Sequence, residues 1–521
     1  MPALSRQFEA ALRIVEALRA AGHQALLAGG CVRDLLLGRD PVDYDVATSA
    51  TPDIVLDLFP RTFAVGAHFG VVLVADETLD EVPPLEDAPD AAPRYSVTEV
   101  ATFRSDAAYS DGRHPDAVRY TTSPEEDVQR RDFTINGLLL DPTRLHFGHL
   151  SRPHTDRVSP QAGLVSTETS LVSGHDFSRA AIAPKMIGAL APGELRSSVL
   201  DYVGGLADLD AGIIRAIGDP RRRFEEDQLR LLRAVRFAAR FDYKLEPATH
   251  AAICALAPRI HSVSRERVRD ELTKMLTEGR ARRAFELLDE TGLLAQVLPE
   301  ISRMKGVDQP PQYHPEGDVF IHTLKLLEQL PPGAPCSLAW GALLHDVGKP
   351  PTFRVAPDRI RFDGHVEVGI AIGADICRRF RFSNEDTRQI LTLIEHHMRF
   401  ADAPRMKEST LKRFFRLPCF EEHLALHKMD CLAAHANLDI YHFVDDRYHS
   451  MPQEDVRPKS LVTGRDLIAA GYRPGPQFKE MLRAAEDAQL EGAVTTAQAA
   501  MELVRERFGP ATSTALPPRS Q

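Results

Sequence analysis

The spacing of hydrophobic residues near the N-terminus predicts one helix followed by several short strands. Phe8, Leu12, Val15 and Leu18 recur at helical spacing, so the first segment is expected to be an amphipathic helix. Short apolar runs predict strands at 25–30, 43–47, 71–74 and 97–103, with a helix at 52–59. Strands that alternate with a helical stretch predict a small mixed α/β domain over roughly the first 145 residues.

From residue 201 onward the pattern is helical almost throughout, with long periodic segments at 225–241, 265–276 and 281–288. We therefore predict the α+β class, with a small mixed α/β head followed by helical domains. The predicted segments are a head at 1–145, a flexible Ser/Pro-rich insertion at 146–198, a neck and body at 199–310, a His-rich region at 311–440, and a helical tail with a frayed end at 441–521.

Composition narrows the functional classes. The 521 residues carry 63 Lys and Arg against 74 Asp and Glu, a net charge of −11, so binding nucleic acid through bulk positive charge is not expected. The 6 cysteines are scattered without a CxxC pair, which favours reduced thiols in the cytoplasm. Neither a signal peptide nor an apolar stretch long enough for a membrane span is found, so no membrane partner is expected.

Two short motifs in the head could carry phosphate chemistry. A glycine pair, Gly29 and Gly30, precedes a helical stretch with Arg33, which suits a phosphate but is also common in structural turns. Asp43 and Asp45 would face the same side of a strand, so both carboxylates could hold Mg²⁺ and support in-line displacement at a phosphate by a 3′-hydroxyl. Alone, such a pair is more often a solvated strand end, but the glycine pair just upstream favours the metal site.

The order of motifs over about 110 residues resembles the tRNA nucleotidyltransferase and poly(A) polymerase superfamily in its bacterial class II form. The resemblance rests on GGCVRDLLLGRDPVDYDVATSATP, EVATFR, YSDGRHP and EDVQRRDFTIN. It implies a polymerase-β-like head, Mg²⁺ ligands at Asp43 and Asp45, and nucleotide-binding residues at Gly30, Arg33 and Arg131. Glu99 is either a third carboxylate near the metals or a structural partner of Arg104 or Arg131.

The segment EEDQLRLLRAVRF at 225–237 predicts a helix whose face carries Asp227, Arg230, Arg233 and Arg236. A carboxylate and guanidiniums together match the mixed hydrogen-bonding edge of cytosine or adenine, although an ion-paired surface helix has the same pattern. The resemblance extends to the EDxxR helix that acts as an amino-acid template in class II CCA-adding enzymes. It implies that Asp227 and Arg230 read the base, that Arg233 and Arg236 hold the nucleotide, and that Glu226 orients the set. Gln228 replaces a frequent proline, which we expect to be a surface change.

The resemblance implies template-independent addition of CCA to the 3′ end of tRNA from CTP and ATP, without a role for DNA. Two stretches favour CCA addition over poly(A) synthesis: residues 65–70 lack a basic RRF strand, and residues 111–115 resemble the loop needed for the last A. A poly(A) polymerase or an A-only tRNA nucleotidyltransferase remains the alternative.

The His-rich region contains the order H…HD…H…HH…D, formed by His322, His345-Asp346, His365, His396-His397 and Asp430. Imidazole and carboxylate ligands suit Ni²⁺, Mn²⁺, Fe²⁺ or Mg²⁺. The stretch around LLHDVGKP resembles HD-superfamily phosphohydrolases. It implies metal ligands at His322, His345, Asp346 and Asp430, a phosphate contact at Lys349, and 2′,3′-cyclic phosphodiesterase and phosphatase activities. A second alternative is a protein that is mainly this hydrolase, with an RNA-binding head.

A basic segment at 405–416 holds five positive residues and one negative residue. It could contact tRNA phosphates or form an amphipathic helix with a solvated face, and the sequence favours neither.

Overall fold

The structure is a computed structural model that describes residues 5–63, 70–75, 97–106, 118–145 and 192–510, except 313, 316 and 358. The chain forms two compact units, Met1–Ser262 and Val263–Gln521, which we call unit 1 and unit 2. Their boundary falls inside the predicted neck and body, and the predicted domain limits stay predictions. Much of the predicted insertion, the stretch 65–69 and the loop 111–115 lie outside the described residues.

Unit 1 contains a seven-stranded sheet with the strand order β3-β4-β5-β2-β1-β8-β9. Strand β1 is buried along its whole length and pairs antiparallel with β2 and β8, whereas the central strand β2 pairs parallel with β5. The strands of unit 1 are β1 Ala25–Ala28, β2 Asp45–Thr48, β3 Thr62–Phe63, β4 Val71–Ala75, β5 Val97–Thr102, β6 Arg104–Asp106, β7 Val118–Tyr120, β8 Leu139–Leu140, β9 Val199–Leu200, β10 Ile213–Ile214 and β11 Lys244–Leu245.

Helices pack on this sheet, and further helices form most of unit 1 after β9. The predicted N-terminal helix is confirmed: Ser5 caps it by accepting a hydrogen bond from the amide of Phe8, and its apolar face is buried. The helices of unit 1 are α1 Arg6–Ala20, α2 Gly30–Leu36, α3 Pro52–Leu58, α4 Pro124–Gln129, α5 Pro192–Ser197, α6 Gly205–Ala211, α7 Pro220–Glu226, α8 Leu229–Phe241 and α9 Pro247–Leu256.

The predicted helix over 225–241 is wrong at its start, because the structure has two helices there. Helix α7 ends at Glu226, Asp227 is extended with φ −147° and ψ 106°, and α8 begins at Leu229. The Asp227 carboxylate accepts a hydrogen bond from the amide of Leu229 at 3.1 Å. This local bond competes with continuation of the helix.

Unit 2 is helical apart from one two-stranded sheet, β12 Arg354–Val355 and β13 Ile360–Arg361, among its described residues. Its last part, from Val462 to Val504, forms a separate hydrophobic cluster. The helices of unit 2 are α10 Arg265–Thr277, α11 Ala281–Glu290, α12 Leu293–Val297, α13 Pro299–Ser302, α14 Val319–Glu328, α15 Cys336–Leu344, α16 Lys349–Thr352, α17 His365–Arg379, α18 Asn384–His396, α19 Glu408–Phe415, α20 Phe420–Ala433, α21 Asp439–Ser450, α22 Gln453–Val456, α23 Gly464–Ala469, α24 Gln477–Leu490 and α25 Ala497–Phe508.

The predicted α+β class is confirmed: a mixed α/β head is followed by a mostly helical body. Within the described ranges, every helix is too short or too polar to cross a lipid bilayer.

Candidate active sites

The glycine pair forms a tight turn between β1 and α2. Gly29 has φ +73°, and a Cβ atom there would lie 3.0 Å from Nη1 of Arg131. A side chain at Gly29 would therefore strain the backbone and meet the guanidinium. The first helical residue is Gly30, where an added Cβ would be 3.5 Å from Nη2 of Arg33. The turn thus brings the backbone close to two of the arginines that the sequence singled out.

Three carboxylates cluster beside this turn. Asp45 is the first residue of β2, and Glu99 on β5 is its register partner. Asp43 lies in a bend two residues before β2, so the expectation that both aspartates lie on one strand is wrong for Asp43. The ladder between β1 and β2 ends at the pair of Ala28 and Asp45, and the chain turns away at Gly29.

The electrostatics of this cluster favour a cation. Burial, and then the charges of Glu99 and Asp43, raise the pKa of Asp45 to about 7. Partial burial and then Asp43 raise the pKa of Glu99, whereas Arg131 and Arg130 lower it. Crowded carboxylates of this kind are neutralised by a bound divalent metal. The Glu99 carboxylate interacts electrostatically with the aspartates and with the arginines, so both expected roles for Glu99 stay open.

Arg131 is held by a buried carboxylate. Its Nη2 lies 3.2 Å from Oδ2 of Asp127, and Nη2 of Arg130 lies 2.7 Å from Oδ1. Burial raises the pKa of Asp127, but the two arginines outweigh it and the pKa is lowered. Asp127 therefore stays ionised and orients Arg131 towards the glycine turn.

A chain of hydrogen bonds, buried at Arg33 and partly buried at Arg233, joins Arg33 to the neck helix α8. Arg33 Nη1 donates to Asn136 Oδ1, and Asn136 Nδ2 donates to Asp132 Oδ1 at 3.1 Å. Arg233 Nη2 then lies 2.7 Å from Asp132 Oδ2. Arg33 is only 4% exposed and also pairs with Asp34 at 2.8 Å. The structure thus links Arg33 and Arg233 through one polar network.

The other residues predicted to read the base or hold the nucleotide lie at or after the break between α7 and α8. Arg230 Nη1 lies 3.1 Å from Glu226 Oε2, which agrees with an orienting role for Glu226. The guanidinium carbon of Arg236 lies 4.4 Å from the ring centroid of Phe237. The three arginines share α8, but Asp227 precedes that helix, so the predicted single helical face is wrong for the carboxylate.

Gln228 is buried, so the expectation of a surface change there is wrong. It is 8% exposed, its Nε2 donates to the Glu225 carbonyl at 3.1 Å, and its Oε1 accepts from Ser262 Oγ at 3.2 Å.

The basic segment 405–416 makes ion pairs within unit 2. Arg413 binds Glu486 and Asp487, Arg416 binds Glu486, and Lys412 Nζ donates to the Leu490 carbonyl at 2.8 Å. These contacts join α19 to α24, so the geometry favours a structural role for these three residues.

The four predicted ligands of the HD region come together in unit 2. His322 Nε2 lies 3.0 Å from Asp430 Oδ1, and His345 Nε2 lies 3.1 Å from Asp346 Oδ2. Helix α14 provides His322, the end of α15 provides His345 and Asp346, and α20 provides Asp430. Lys349 Nζ also contacts Asp346 Oδ2, at 2.7 Å.

Two further histidines complete the cluster, although the predicted ligand set omitted them. His365 and His397 lie with Asp346, their ligand atoms within 4.8 Å of one another. Both were present in the order H…HD…H…HH…D, which was the signal for them. His396, next to His397, instead places its ring 6.1 Å from that of His423.

The donor atoms fit a divalent metal. His345, His365 and His397 each place Nδ1 2.7–2.9 Å from a backbone carbonyl, which directs Nε2 into the cluster. The Nε2 atoms of His365 and His397 are buried without a hydrogen-bond partner among the residues that the structure describes. Asp346, His365, His397 and Asp430 also line a cavity of about 790 Å³. Substrate could approach the cluster through this cavity.

Comparison with protein families agrees with this division into sites. The Poly A polymerase head domain matches residues 25–149, the family described as a probable RNA and SrmB-binding site of polymerase A matches 242–305, and the HD domain matches 318–434. The seven-stranded sheet and its clustered carboxylates lie mostly within the segment that matches the Poly A polymerase head domain. Head and HD domains of these families generally use divalent metals.

Curated relatives and solved structures are similar to this chain over half of its length or more. A CCA-adding enzyme of Levilactobacillus brevis is 28% identical over 92% of both chains. One from Geobacillus stearothermophilus is 33% identical, over 55% of this chain and 54% of the relative. The crystal structure of the Bacillus stearothermophilus CCA-adding enzyme in complex with CTP matches with a TM-score of 0.64 and 25% identity, covering 97% of this chain and 99% of that one. Over nearly its whole length this chain is similar to CCA-adding enzymes, in agreement with the resemblance that its motifs indicated.

Proposed function

We propose that this protein adds or repairs the 3′-terminal CCA of tRNA, using CTP and ATP without a nucleic-acid template. The observation that carries the proposal is the carboxylate cluster of Asp43, Asp45 and Glu99 beside the Gly29 turn, in a chain that resembles CCA-adding enzymes over nearly its whole length. The 3′-hydroxyl of tRNA attacks the α-phosphate of the nucleotide, and pyrophosphate leaves.

In the head, Asp43 and Asp45 would hold Mg²⁺, with Glu99 as a further carboxylate. When bound, the metal lowers the pKa of the 3′-hydroxyl and neutralises charge that develops on the phosphate. The raised pKa of Asp45 supports this assignment, since crowded carboxylates gain most from a cation. Gly30, Arg33 and Arg131 would bind the nucleotide, with Arg131 aligned by Asp127.

In the neck, Asp227 and Arg230 would read the base while Arg233 and Arg236 hold the nucleotide. Arg230 is fixed by Glu226 and by the Arg130 carbonyl, which its Nη2 reaches at 3.3 Å. A guanidinium held on two sides presents its remaining donors in one orientation, as selection between two bases requires. Because Asp227 lies at the break between α7 and α8, its carboxylate can exchange the Leu229 amide for a base without unwinding a helix.

The proposal is tested with tRNA transcripts that end before the first C, after one C and after CC, each supplied with CTP, ATP or both. Three ordered additions followed by a stop are expected. Long A tails would show a poly(A) polymerase, and addition only to transcripts ending in CC would show an A-only enzyme. Either result overturns the proposal.

Variants test the residue roles. Asp43→Ala is expected to lower kcat by roughly 10³-fold or more, because a metal ligand is lost. Asp40→Ala removes an exposed carboxylate nearby and is expected to keep full activity. Arg230→Ala is expected to reduce the discrimination between CTP and ATP by about tenfold or more, whereas the exposed Arg221→Ala is not. Near-normal turnover of Asp43→Ala would refute the metal assignment.

We further propose a phosphohydrolase activity in the HD region, which acts on 2′,3′-cyclic phosphodiesters and phosphomonoesters. The cluster of imidazole and carboxylate groups at the cavity supports it, with Ni²⁺, Mn²⁺, Fe²⁺ or Mg²⁺ held by His322, His345, Asp346 and Asp430. The metal would activate water, and Lys349 at the cavity wall would bind a phosphate oxygen. A protein with only this activity and an RNA-binding head is disfavoured by the carboxylates of the first site.

This second activity is measured as Ni²⁺- or Mn²⁺-dependent hydrolysis of a nucleoside 2′,3′-cyclic phosphate. His345→Ala/Asp346→Ala is expected to lose roughly 10²-fold or more of it and to retain nucleotide transfer. His449→Ala, which alters an exposed histidine on α21, serves as the control. Hydrolysis that is unchanged in the double variant would overturn the assignment.

We propose the cytoplasm as the place of action. Each of the six cysteines is free in the structure, which suits a reducing compartment.

A further inference from the structure

The C-terminal half of α8 places two aromatic rings against Arg33. Phe237 and Phe241 are one helical turn apart, and their rings stack with centroids 6.1 Å apart and planes 12° apart. The guanidinium carbon of Arg33 lies 4.6 Å from the Phe241 centroid and 5.4 Å from the Phe237 centroid. A guanidinium within about 6 Å of a ring centroid is attracted to the face of the ring, most strongly where water is excluded. All three side chains are buried, so this attraction is expected to be near its strongest.

The other contacts of Arg33 hold the edges of its planar guanidinium. Nε donates to Asp34 Oδ1 at 2.9 Å, Nη2 lies 2.8 Å from the same oxygen, and Nη1 donates to Asn136 Oδ1. Such hydrogen bonds run close to the plane of the guanidinium, whereas a ring on its face resists tilting of that plane. Phe241 thus restrains Arg33 in a way that the polar partners do not.

The tilt of this plane matters at the glycine turn. An added Cβ at Gly30 would lie 3.5 Å from Nη2 of Arg33, so Nη2 lies beside the first residue of α2. Nη2 carries two N–H groups, and only one of them can face Asp34. The second can donate to a phosphate oxygen, and its direction follows the tilt of the guanidinium.

Positive charge is concentrated around the same ring. The guanidinium carbons of Arg39 and Arg240 lie 5.2 and 5.4 Å from the Phe241 centroid. Burial lowers the pKa of Arg33, the charge of Asp34 opposes this effect, and Arg240 adds to the lowering. The face of Phe241 offsets part of the repulsion between these guanidiniums, so loss of the ring is expected to displace Arg33.

From these contacts we infer that Phe241 is a positioning residue for nucleotide binding, whose ring holds Arg33 at the tilt that lets Nη2 meet the phosphates of CTP or ATP. Phosphates are common to both nucleotides. Phe241 should therefore affect CTP and ATP equally, unlike Arg230, which is proposed to read the base. The inference rests on the proposed nucleotide transfer, and binding of CTP without tRNA distinguishes the two.

Phe241→Leu is the direct test, because leucine is apolar but has no ring. Phe241 is chosen over Phe237, whose ring also contacts Arg233 and Arg236. The full chain is assayed with Mg²⁺, using CTP on transcripts that end before the first C and ATP on transcripts that end in CC. Both KM values should rise about tenfold, with kcat within about threefold. Phe241→Tyr keeps the ring face and should keep both KM values within about twofold.

The control for a general loss of packing is Ile253→Val, which removes a buried methyl group from α9 and should leave both KM values unchanged. Hydrogen exchange of peptides from α8 checks that each variant is folded. A rise below about twofold in Phe241→Leu, or an equal rise in Phe241→Tyr, would overturn the inference. A rise for one nucleotide only would overturn it as well, because the ring would then act on base choice.

A double-mutant cycle shows whether the ring acts through Arg33. The affinity for CTP is measured by equilibrium dialysis without tRNA, so the readout does not depend on nucleotide transfer. Phe241→Leu should weaken binding about tenfold in the native background but less than about twofold in Arg33→Gln, which has no guanidinium to position. Equal weakening in both backgrounds would show that the ring acts by packing alone and would overturn the inference. CTP binding with the expected pattern but no nucleotide addition by the native protein would overturn only the proposed function, and no CTP binding by the native protein would overturn both.

Discussion

Asp132 lies at the centre of the chain of hydrogen bonds between Arg33 and α8, and Asp132→Asn removes its charge while keeping its shape. In the native protein the carboxylate accepts from Asn136 and from Arg233. The substitution leaves Arg233 facing a neutral amide. We therefore expect the free energy of unfolding of unit 1 to fall.

The pKa of Asp132 gives the size of the effect. Burial raises this pKa, but Arg233 and Asn136 outweigh burial and bring it to about 2, against an ordinary value of 3.8. The difference corresponds to about 2 kcal/mol in favour of the charged form in the folded state. Breaking a fully buried ion pair costs about 3–5 kcal/mol. The Arg233 side chain is 32% exposed and can regain water, so about 2 kcal/mol is expected.

The pH dependence has a definite sign. The pKa of Asp132 is lower in the folded state than in the unfolded state, so its stabilisation is fully present above the unfolded pKa near 4. It is lost as the pH falls through about 2. The difference in stability between wild type and Asp132→Asn should therefore be constant from about pH 5 to 8 and should narrow below about pH 4.

The assay must report on unit 1 alone. The single tryptophan, Trp340, lies in unit 2, so tryptophan fluorescence does not follow the unfolding of interest. Hydrogen exchange of peptides that cover α8, measured at several urea concentrations, gives the free energy of opening instead. The control is Asp210→Asn, whose pair with Arg196 is exposed and should contribute less than about 0.5 kcal/mol. A loss at Asp132 no greater than in this control would refute the reasoning.

Three further substitutions test the local geometry. Gly29→Ala should cost more than the roughly 1–2 kcal/mol expected for an alanine in the left-handed helical region, because Gly29 has ψ −125°, outside that region, and its Cβ would also meet a guanidinium. Gly204→Ala is the comparison, since Gly204 lies in the left-handed region at φ +78° and ψ 22° with open space around it. Equal losses of stability in hydrogen exchange would contradict this. Arg413→Ala should speed exchange in 461–508 while the KM for tRNA stays unchanged, and a several-fold higher KM would instead support a phosphate contact. Gln228→Pro should change the free energy of unfolding by less than about 1 kcal/mol, because a gain and a loss nearly cancel. Gln228 already has φ −66° and follows an extended residue, as proline prefers, whereas the substitution removes two side-chain hydrogen bonds. A larger loss in urea unfolding would refute this.

The sequence predicted the type and order of the head elements, because their apolar residues follow the periods of strand and helix. It did not predict where β2 begins. The run 43–47 looked like one strand, yet β1 pairs only as far as Ala28, and the positive φ of Gly29 turns the chain away. Asp43 therefore has no strand neighbour on that side and lies in a bend. The residue at which a strand begins depends on where its partner strand ends, and the local pattern of apolar residues carries no information about the partner strand.

In the neck, the sequence predicted the arginines but not the position of the carboxylate. Helical spacing places Asp227 one turn before Arg230, and nothing in the apolar pattern interrupts that helix. The break arises because the Asp227 side chain bonds the Leu229 amide, and Gln228 is buried between the Glu225 carbonyl and Ser262. Asp and Asn compete with helix hydrogen bonds in this way, so an aspartate inside a predicted helix is also a candidate cap.

In the HD region, the order of residues predicted the ligand types but not that His365 and His397 lie with Asp346, and the backbone explains why. His345 and His397 directly follow the last residues of α15 and α18, and each bonds the carbonyl three residues earlier. Carbonyls in the last turn of a helix have no intrahelical partner, so a histidine there can satisfy one with Nδ1 and direct Nε2 outward. His365 achieves the same orientation at the start of α17, through the Phe362 carbonyl. A histidine immediately after the last residue of a helix is therefore a candidate ligand that the sequence can indicate, whereas the orientation of His365 depends on the packing that Gly348 permits.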